Sequence, residues 1–233
     1  LIEEFMLLAN RTVATEFGKK QRNSNGDAKT FIYRIHDLPD GDKLNQMGAF
    51  IRRFGYQFKN ATEASAISKN LNAVIEASQD KPEATLIQTM AVRTMARAEY
   101  STENIGHYGL AFEYYTHFTS PIRRYPDLLV HRLVARYMAG EGSVPQAEYE
   151  AYAQHCSDQE QVAAKAERDS VRYKQVEYMS TRLGKVFDGV ISNVAEWGFY
   201  VELTHSHCEG LVPMRLLNDD FYDYDEKNFA LVG

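Results

Sequence analysis

Apolar residues at Ile2, Met6, Ala9, Val13 and Phe17 recur every three or four positions, which predicts one amphipathic helix from Leu1 to about Lys20. A polar stretch from Arg22 to Lys29 follows, with Asn25-Gly26-Asp27 as its turn. Phe31-Ile32-Tyr33-Arg34-Ile35 is a β-branched and aromatic run of strand length. After the turn chemistry of His36 to Gly41, helical periods are expected near 42–54, 62–78 and 82–98. Gly106 to Ser120 is too rich in glycine and aromatics for a helix and is expected as strand and turn. Pro126 lacks a backbone donor, so a helix should start beside it and run to Met138. Ser120-Pro121-Ile122-Arg123-Arg124-Tyr125 is then a turn entering a helix N-terminus. Beyond the Gly140–Ser143 break, a long charged helix covers roughly 146–182 and ends at Leu183-Gly184.

From Lys185 the texture changes. Val186, Val190, Ile191, Val194, Phe199, Val201, Leu211 and Val212 fall in short runs between glycines and polar turns, the pattern of a small β-barrel. Charge changes at the same place. Residues 184–233 carry three bases against nine acids, a balance of −6. That equals the net charge of the whole 233-residue chain, so residues 1–183 are neutral overall. A domain boundary is therefore placed near residue 184. The helical period already under way at Leu1 and the closing strand at Phe229 to Gly233, with no partner strand following it, lead to the expectation of a piece of a longer protein.

Composition narrows the class. With 44% hydrophobic and 25% charged residues, and only 6 Pro and 14 Gly, wholesale disorder and collagen-like repeats are excluded. No apolar run approaches the roughly 18 residues of a membrane span. Cys156 and Cys208 make neither a disulfide framework nor a zinc spacing, which fits a reducing cytoplasm. A net charge of −6 argues against a basic coat for duplex DNA while leaving room for a locally basic channel.

Candidate chemistry concentrates between Gly106 and Arg132. Adjacent Arg123 and Arg124 at a helix N-terminus combine bidentate phosphate donors with free backbone N–H groups and a favourable dipole. Neighbouring aromatics could stack on bases, and the hydroxyls of Thr116, Thr119 and Ser120 could hold sugar or phosphate oxygens. Spacing alone leaves this anion-binding reading level with a plainer one, in which the arginines are solvated or paired with Asp127. His36, His107, His117, His131 and His155 lack metal spacing and read as hydrogen-bonding residues, and Tyr114-Tyr115 as mostly core. Cys156 and Cys208 read as inert.

Gly106-His107-Tyr108-Gly109-Leu110-Ala111, then Tyr115-Thr116-His117-Phe118-Thr119-Ser120-Pro121-Ile122-Arg123-Arg124-Tyr125, Asp127 and His131-Arg132, resemble the signature of the ribonuclease II and ribonuclease R family of processive 3′-to-5′ exoribonucleases. The likeness extends to Glu3–Asn10, Tyr33–Asp40, Arg93–Tyr100 and Ala166-Glu167-Arg168, in family order. The wording of Thr119–Tyr125 leans towards the ribonuclease R branch. Gly184–Ile191, Trp197–Leu203 and Glu209–Pro213 resemble the opening strands of the S-one-type OB fold that follows this catalytic domain. The resemblance implies an α+β fold: the mostly helical half of a catalytic domain over 1–183, then a small, incomplete antiparallel barrel over 184–233.

The implied activity is hydrolysis of single-stranded RNA from its 3′ end to nucleoside 5′-monophosphates, by metal-assisted in-line attack of water. In the family an aspartate cluster binds the magnesium ions. The resemblance places that cluster, the catalytic tyrosine and one aromatic clamp upstream of Leu1, so no metal ligand is expected in this chain. Asp37 and Asp40 have a superficially similar spacing but match a different block of the family. Arg123 matches the family position that contacts the terminal phosphate, with Arg124 reinforcing it as a catalytic pair. Expected RNA contacts are Glu3, Asn10, Tyr125, Glu167, Trp197 and Tyr200. Glu3 would accept from a ribose hydroxyl and favour RNA over DNA, and Asn10, two helical turns on, would share its face. Glu167 is equally readable as half of an internal ion pair. Trp197 and Tyr200 would lie on one face only if their strand bulges at Gly198. The implied partner is single-stranded RNA, bound by a monomer with no membrane association. The rival is a non-catalytic RNA-binding protein of the same fold, and a third reading makes the chain an unrelated helical interaction protein.

Overall fold

The computed structural model describes residues 1–22, 26–59, 61–81, 83–217, 220–225 and 230–233. The expected turn at Asn25 and the expected strand start at Phe229 lie outside them. Helix α1 (Ile2–Val13) continues as a π-helical segment (Ala14–Lys19), followed by strand β1 (Tyr33–His36). Helices α2 (Gly41–Ile51), α3 (Ala64–Ser78) and α4 (Ala84–Thr94) come next, then β2 (Ala98–Ser101), α5 (Tyr125–Met138) and α6 (Gln146–Ser180). Strands β3 (Gly189–Ala195), β4 (Gly198–Leu203), β5 (Glu209–Pro213), β6 (Asp223–Asp225) and β7 (Ala230–Val232) complete the order. The α+β expectation holds: helices dominate and every strand pair is antiparallel.

Packing divides the chain into two compact units, Leu1–Leu44 with Ala61–Ile67 and Arg93–Ala163, and Asn45–Asn60 with Ser68–Val92 and Ala164–Gly233. This division by packing is distinct from the compositional boundary near residue 184.

In the first unit β1 pairs with β2, Tyr33 opposite Ser101 and His36 opposite Ala98. The helix expected over 82–98 therefore stops at Thr94, because Ala98–Ser101 finds a partner strand that local periodicity does not reveal. Phe31, Ile32, Tyr33 and Tyr100 pack with Leu129, Val130, Leu133 and Tyr137 of α5 and with Ala153 and Cys156 of α6. Their spacing on α5 is that of one helical face. The first helix keeps its expected face in part, Val13 and Phe17 packing against this core, but the deepest positions lie one residue along. Its buried line is Asn10, Ala14 and Gly18, spaced four apart, while Ile2 is exposed. Small residues let the π segment approach the sheet. A β-carbon on Gly18 would fall 2.7 Å from the Tyr33 ring, so the contact requires glycine.

In the second unit the buried positions Met47, Phe50 and Ile51 of α2, Leu71 and Val74 of α3, and Ile87 and Ala91 of α4 repeat at helical spacing. Strands β3, β4 and β5 form a three-stranded meander, and β6 and β7 a separate hairpin, so among the described residues the barrel does not close. Gly198 sits at φ +142°, and a β-carbon there would fall 2.2 Å from the Val212 carbonyl oxygen.

Candidate functional site

The arginine turn is built by side chains on three elements. From α1, the buried Asn10 amide (3% exposed) donates to the Tyr115 hydroxyl at 3.0 Å and accepts the Phe118 N–H at 3.0 Å. From α5, His131 Nε2 meets the Phe118 carbonyl at 2.8 Å, and its ring stacks on Phe118 at 4.0 Å. From β2, the Tyr100 hydroxyl meets His117 Nδ1 at 2.8 Å. Thr116 Oγ1 donates to the Ile32 carbonyl at 2.7 Å. Segment 115–118 is thus pinned on every side before the chain turns at Ser120.

The turn closes through the Arg123 and Arg124 N–H groups, which reach the Ser120 carbonyl at 3.3 and 3.1 Å. Helix α5 starts directly after it, with Arg124 as N-cap in extended conformation and Pro126 in the first turn. The two arginines then part company. Arg124 places Nε 2.8 Å and Nη2 2.9 Å from the two carboxylate oxygens of Asp127, which is fully buried. Arg123 is exposed, and its guanidinium has no hydrogen bond or ion pair among the described residues. It borders a cavity of about 460 Å³ that Tyr100, Arg124, Tyr125, His155 and Gln159 also line. Tyr125 is 54% exposed there.

Helix α6 forms the far wall and is fixed to the sheet by polar contacts. Ser157 Oγ accepts the Tyr100 N–H at 2.9 Å, and Glu150 accepts from Ser101 and Thr102. Glu160 takes both terminal nitrogens of Arg34, at 2.7 and 3.2 Å, while that guanidinium lies 4.5 Å from the centre of the Tyr100 ring. Burial holds the His117 pKa down to about 3, with the positive charges of Arg124 and Arg34 adding to it and Arg123 contributing least. Burial and then His36 lower His107 to about 4. Burial raises Tyr100 to about 12 and pushes the Cys156 thiol up. With Arg124 paired to Asp127 and Arg34 to Glu160, Arg123 is left, among the described residues, as the unpaired charge beside rings held neutral by burial.

Several expected contacts fall elsewhere. Glu3 and Asn10 lie two turns apart along one face of α1, as expected, but only Glu3 is exposed, whereas both ends of the Asn10 amide are used inside the fold. Arg124 does not add free charge to Arg123, because Asp127 neutralises it. Glu167 is exposed on α6 with no ion pair among the described residues. Trp197 and Tyr200 do share a face, the indole Nε1 donating to the tyrosine hydroxyl at 3.2 Å, but not by a bulge at Gly198. Trp197 lies in the two-residue turn before β4, since Ala195 pairs with Gly198, and the register shift is in β3 between Ile191 and Asn193. Asp37 and Asp40 cap backbone N–H groups, Asp40 those of Asp42 and Lys43 at the start of α2. Among the described residues no three His, Cys, Asp or Glu side chains converge as a metal ligand set. Gln159 carried no sequence signal beyond its four-residue spacing from His155 on α6, and that spacing is what brings both to the cavity.

Residues 1–140 match the RNB domain family. The chain is 40% identical, over its whole length, to Ribonuclease R of Aquifex aeolicus and to Ribonuclease R 1 of Lactococcus lactis, covering 32% and 28% of those proteins. It therefore spans about a third of the length of these curated relatives. Among solved structures it resembles Mycoplasma genitalium RNase R in complex with ribose-methylated single-stranded RNA, with a TM-score of 0.84, 26% identity and coverage of 100% of this chain and 36% of that one. Yeast Ssd1, a pseudonuclease, shares the fold with a TM-score of 0.76 at 24% identity, covering 99% of this chain and 28% of that one. The signature turn lies inside the matched stretch, and on that match the chain belongs to the RNB domain family.

Proposed function

We propose that this chain is part of a longer 3′-to-5′ exoribonuclease of the ribonuclease R type, a cytoplasmic monomer releasing nucleoside 5′-monophosphates from single-stranded RNA. The carrying observation is Arg123: an uncompensated guanidinium on a braced turn, beside a cavity lined by Tyr100 and Tyr125, in a chain related to ribonucleases R. A planar fork of donors carried on that turn and facing the terminal phosphate would strengthen its hold as charge builds on the phosphoryl oxygens. Tyr125 would stack on a base at the same cavity, and Glu3 and Glu167 are proposed to face the RNA path. Magnesium is proposed as the cofactor of the whole enzyme. The described residues assemble no ligand set for it, and no step is assigned to it in this chain.

The test is release of labelled nucleoside 5′-monophosphate from single-stranded RNA by the full-length protein in magnesium. Binding without release would instead support the non-catalytic reading, a reading in keeping with the same fold in yeast Ssd1, a pseudonuclease. The chain of 233 residues alone is expected to release nothing. A release rate that tracks it through purification would overturn that expectation.

A second RNA contact is proposed at Trp197 and Tyr200. The strand segment is acidic, so affinity there must come from aromatic faces, and Trp197 is 59% exposed. Base–aromatic stacking contributes roughly 1–3 kcal/mol per base, so Trp197→Ala with Tyr200→Ala should weaken oligonucleotide binding about tenfold or more. Unchanged affinity, together with tryptophan fluorescence blind to RNA, would return both rings to structural roles.

A further inference from the structure

Asp127 is the one fully buried carboxylate at the arginine turn, and a single oxygen of it does two things. Oδ2 accepts the Ser120 N–H at 2.8 Å and Nη2 of Arg124 at 2.9 Å. A carboxylate out of water needs a paired charge and hydrogen bonds to remain there. Arg124, only 20% exposed, supplies the charge. The two contacts bracket the turn, Ser120 at its beginning and Arg124 at its end, and Arg123 lies between them.

We propose that Asp127 is a positioning residue for Arg123, and that Arg124 is its structural counter-ion and makes no contact with phosphate. Each guanidinium can neutralise one anion well. Arg124 donates through Nη2 to Asp127 Oδ2 and holds Nε within ion-pair distance of Oδ1, so its charge is taken up by Asp127 and Arg123 is the turn's free fork. Asp127 also sits in the first turn of α5, where a carboxylate stabilises a helix through the dipole alone. That plainer role predicts a change in stability with no link to Arg123.

The inference rests on the exoribonuclease reading, and two measurements separate their failures. The first is a double-mutant cycle on single-turnover release by the full-length protein. Asp127→Asn should slow release about tenfold or more in the wild-type background with the RNA KM little moved, yet by less than about twofold when Arg123 is already Ala. Equal losses in both backgrounds would overturn the proposal.

The second needs no catalysis and survives a misfolded Asp127 variant. Each phosphate neutralised on a single strand contributes about −0.7 to the slope of log affinity against log salt. In the Arg123→Ala background, Arg124→Gln should leave that slope unchanged. A further change of about 0.7 would make Arg124 a phosphate ligand and overturn the division of roles. If the wild-type protein binds RNA without releasing monophosphate, the exoribonuclease reading fails, and the salt slope still decides the role of Arg124.

Discussion

Arg123→Lys in the full-length enzyme is expected to lower turnover about a hundredfold or more while RNA affinity changes far less. Lysine keeps the charge but replaces a planar fork by a single rotating ammonium, so two parallel contacts to phosphate oxygens become one. The fork is most useful where negative charge is growing, and losing one such transition-state donor typically costs on the order of 2.7–4 kcal/mol. Arg123 has no internal partner among the described residues to take up the new side chain or to relax when it is lost. Its effect should therefore appear in the chemical step and leave the melting temperature alone. Rapid-quench measurement of monophosphate release, beside an equilibrium titration with RNA, separates the two. Turnover within about twofold of wild type would make Arg123 a solvated surface residue and remove the basis of the proposed site.

What the sequence disclosed and what it concealed follow from the range of the forces involved. Helices α2, α3 and α5 repeat their buried residues at three and four, so a local pattern announces them. The end of α4 was invisible because Ala98–Ser101 has no strand pattern of its own and is held by β1, more than sixty residues earlier. In the first helix the apolar residues marked the packed side, where Val13 and Phe17 meet the core, but not that the closest approach is made beside them by the small residues Ala14 and Gly18. The site divides the same way. That Arg123 and Arg124 belong to one turn is local and legible. That one of them is neutralised is a three-residue relation to Asp127, noted in the sequence only as the plainer alternative. That Asn10 braces the turn depends on Tyr115 and Phe118, over a hundred residues away, and no spacing rule reaches so far. Trp197 and Tyr200 met for a local reason that was misplaced by one element, a hairpin turn in place of a strand bulge.

The braced turn also carries an acid weakness that can be measured on the chain itself. His117 is neutral and buried, its Nδ1 assigned as acceptor for the Tyr100 hydroxyl, and burial with the Arg124 and Arg34 charges holds its pKa at about 3. Unfolded, the same imidazole titrates near about 6.5. Between those values the unfolded chain binds a proton that the folded chain refuses. Stability from this group is then complete above about pH 6.5 and falls as pH drops, by about 1.4 kcal/mol for each unit. Carried to pH 5, His117 alone costs the fold about 2 kcal/mol. His107, lowered to about 4, adds in the same direction, less strongly because it is only half-buried. Protonation would set a new cation among three arginines, in the segment that leads into Ser120 and Arg123. Urea midpoints at pH 7.5 and 5.0 should therefore fall further apart in the wild type than in His117→Gln, which keeps an acceptor for Tyr100 but cannot titrate. If the two proteins lose the same stability over that interval, His117 is not held neutral by its burial, and the packing inferred for segment 115–118 is wrong.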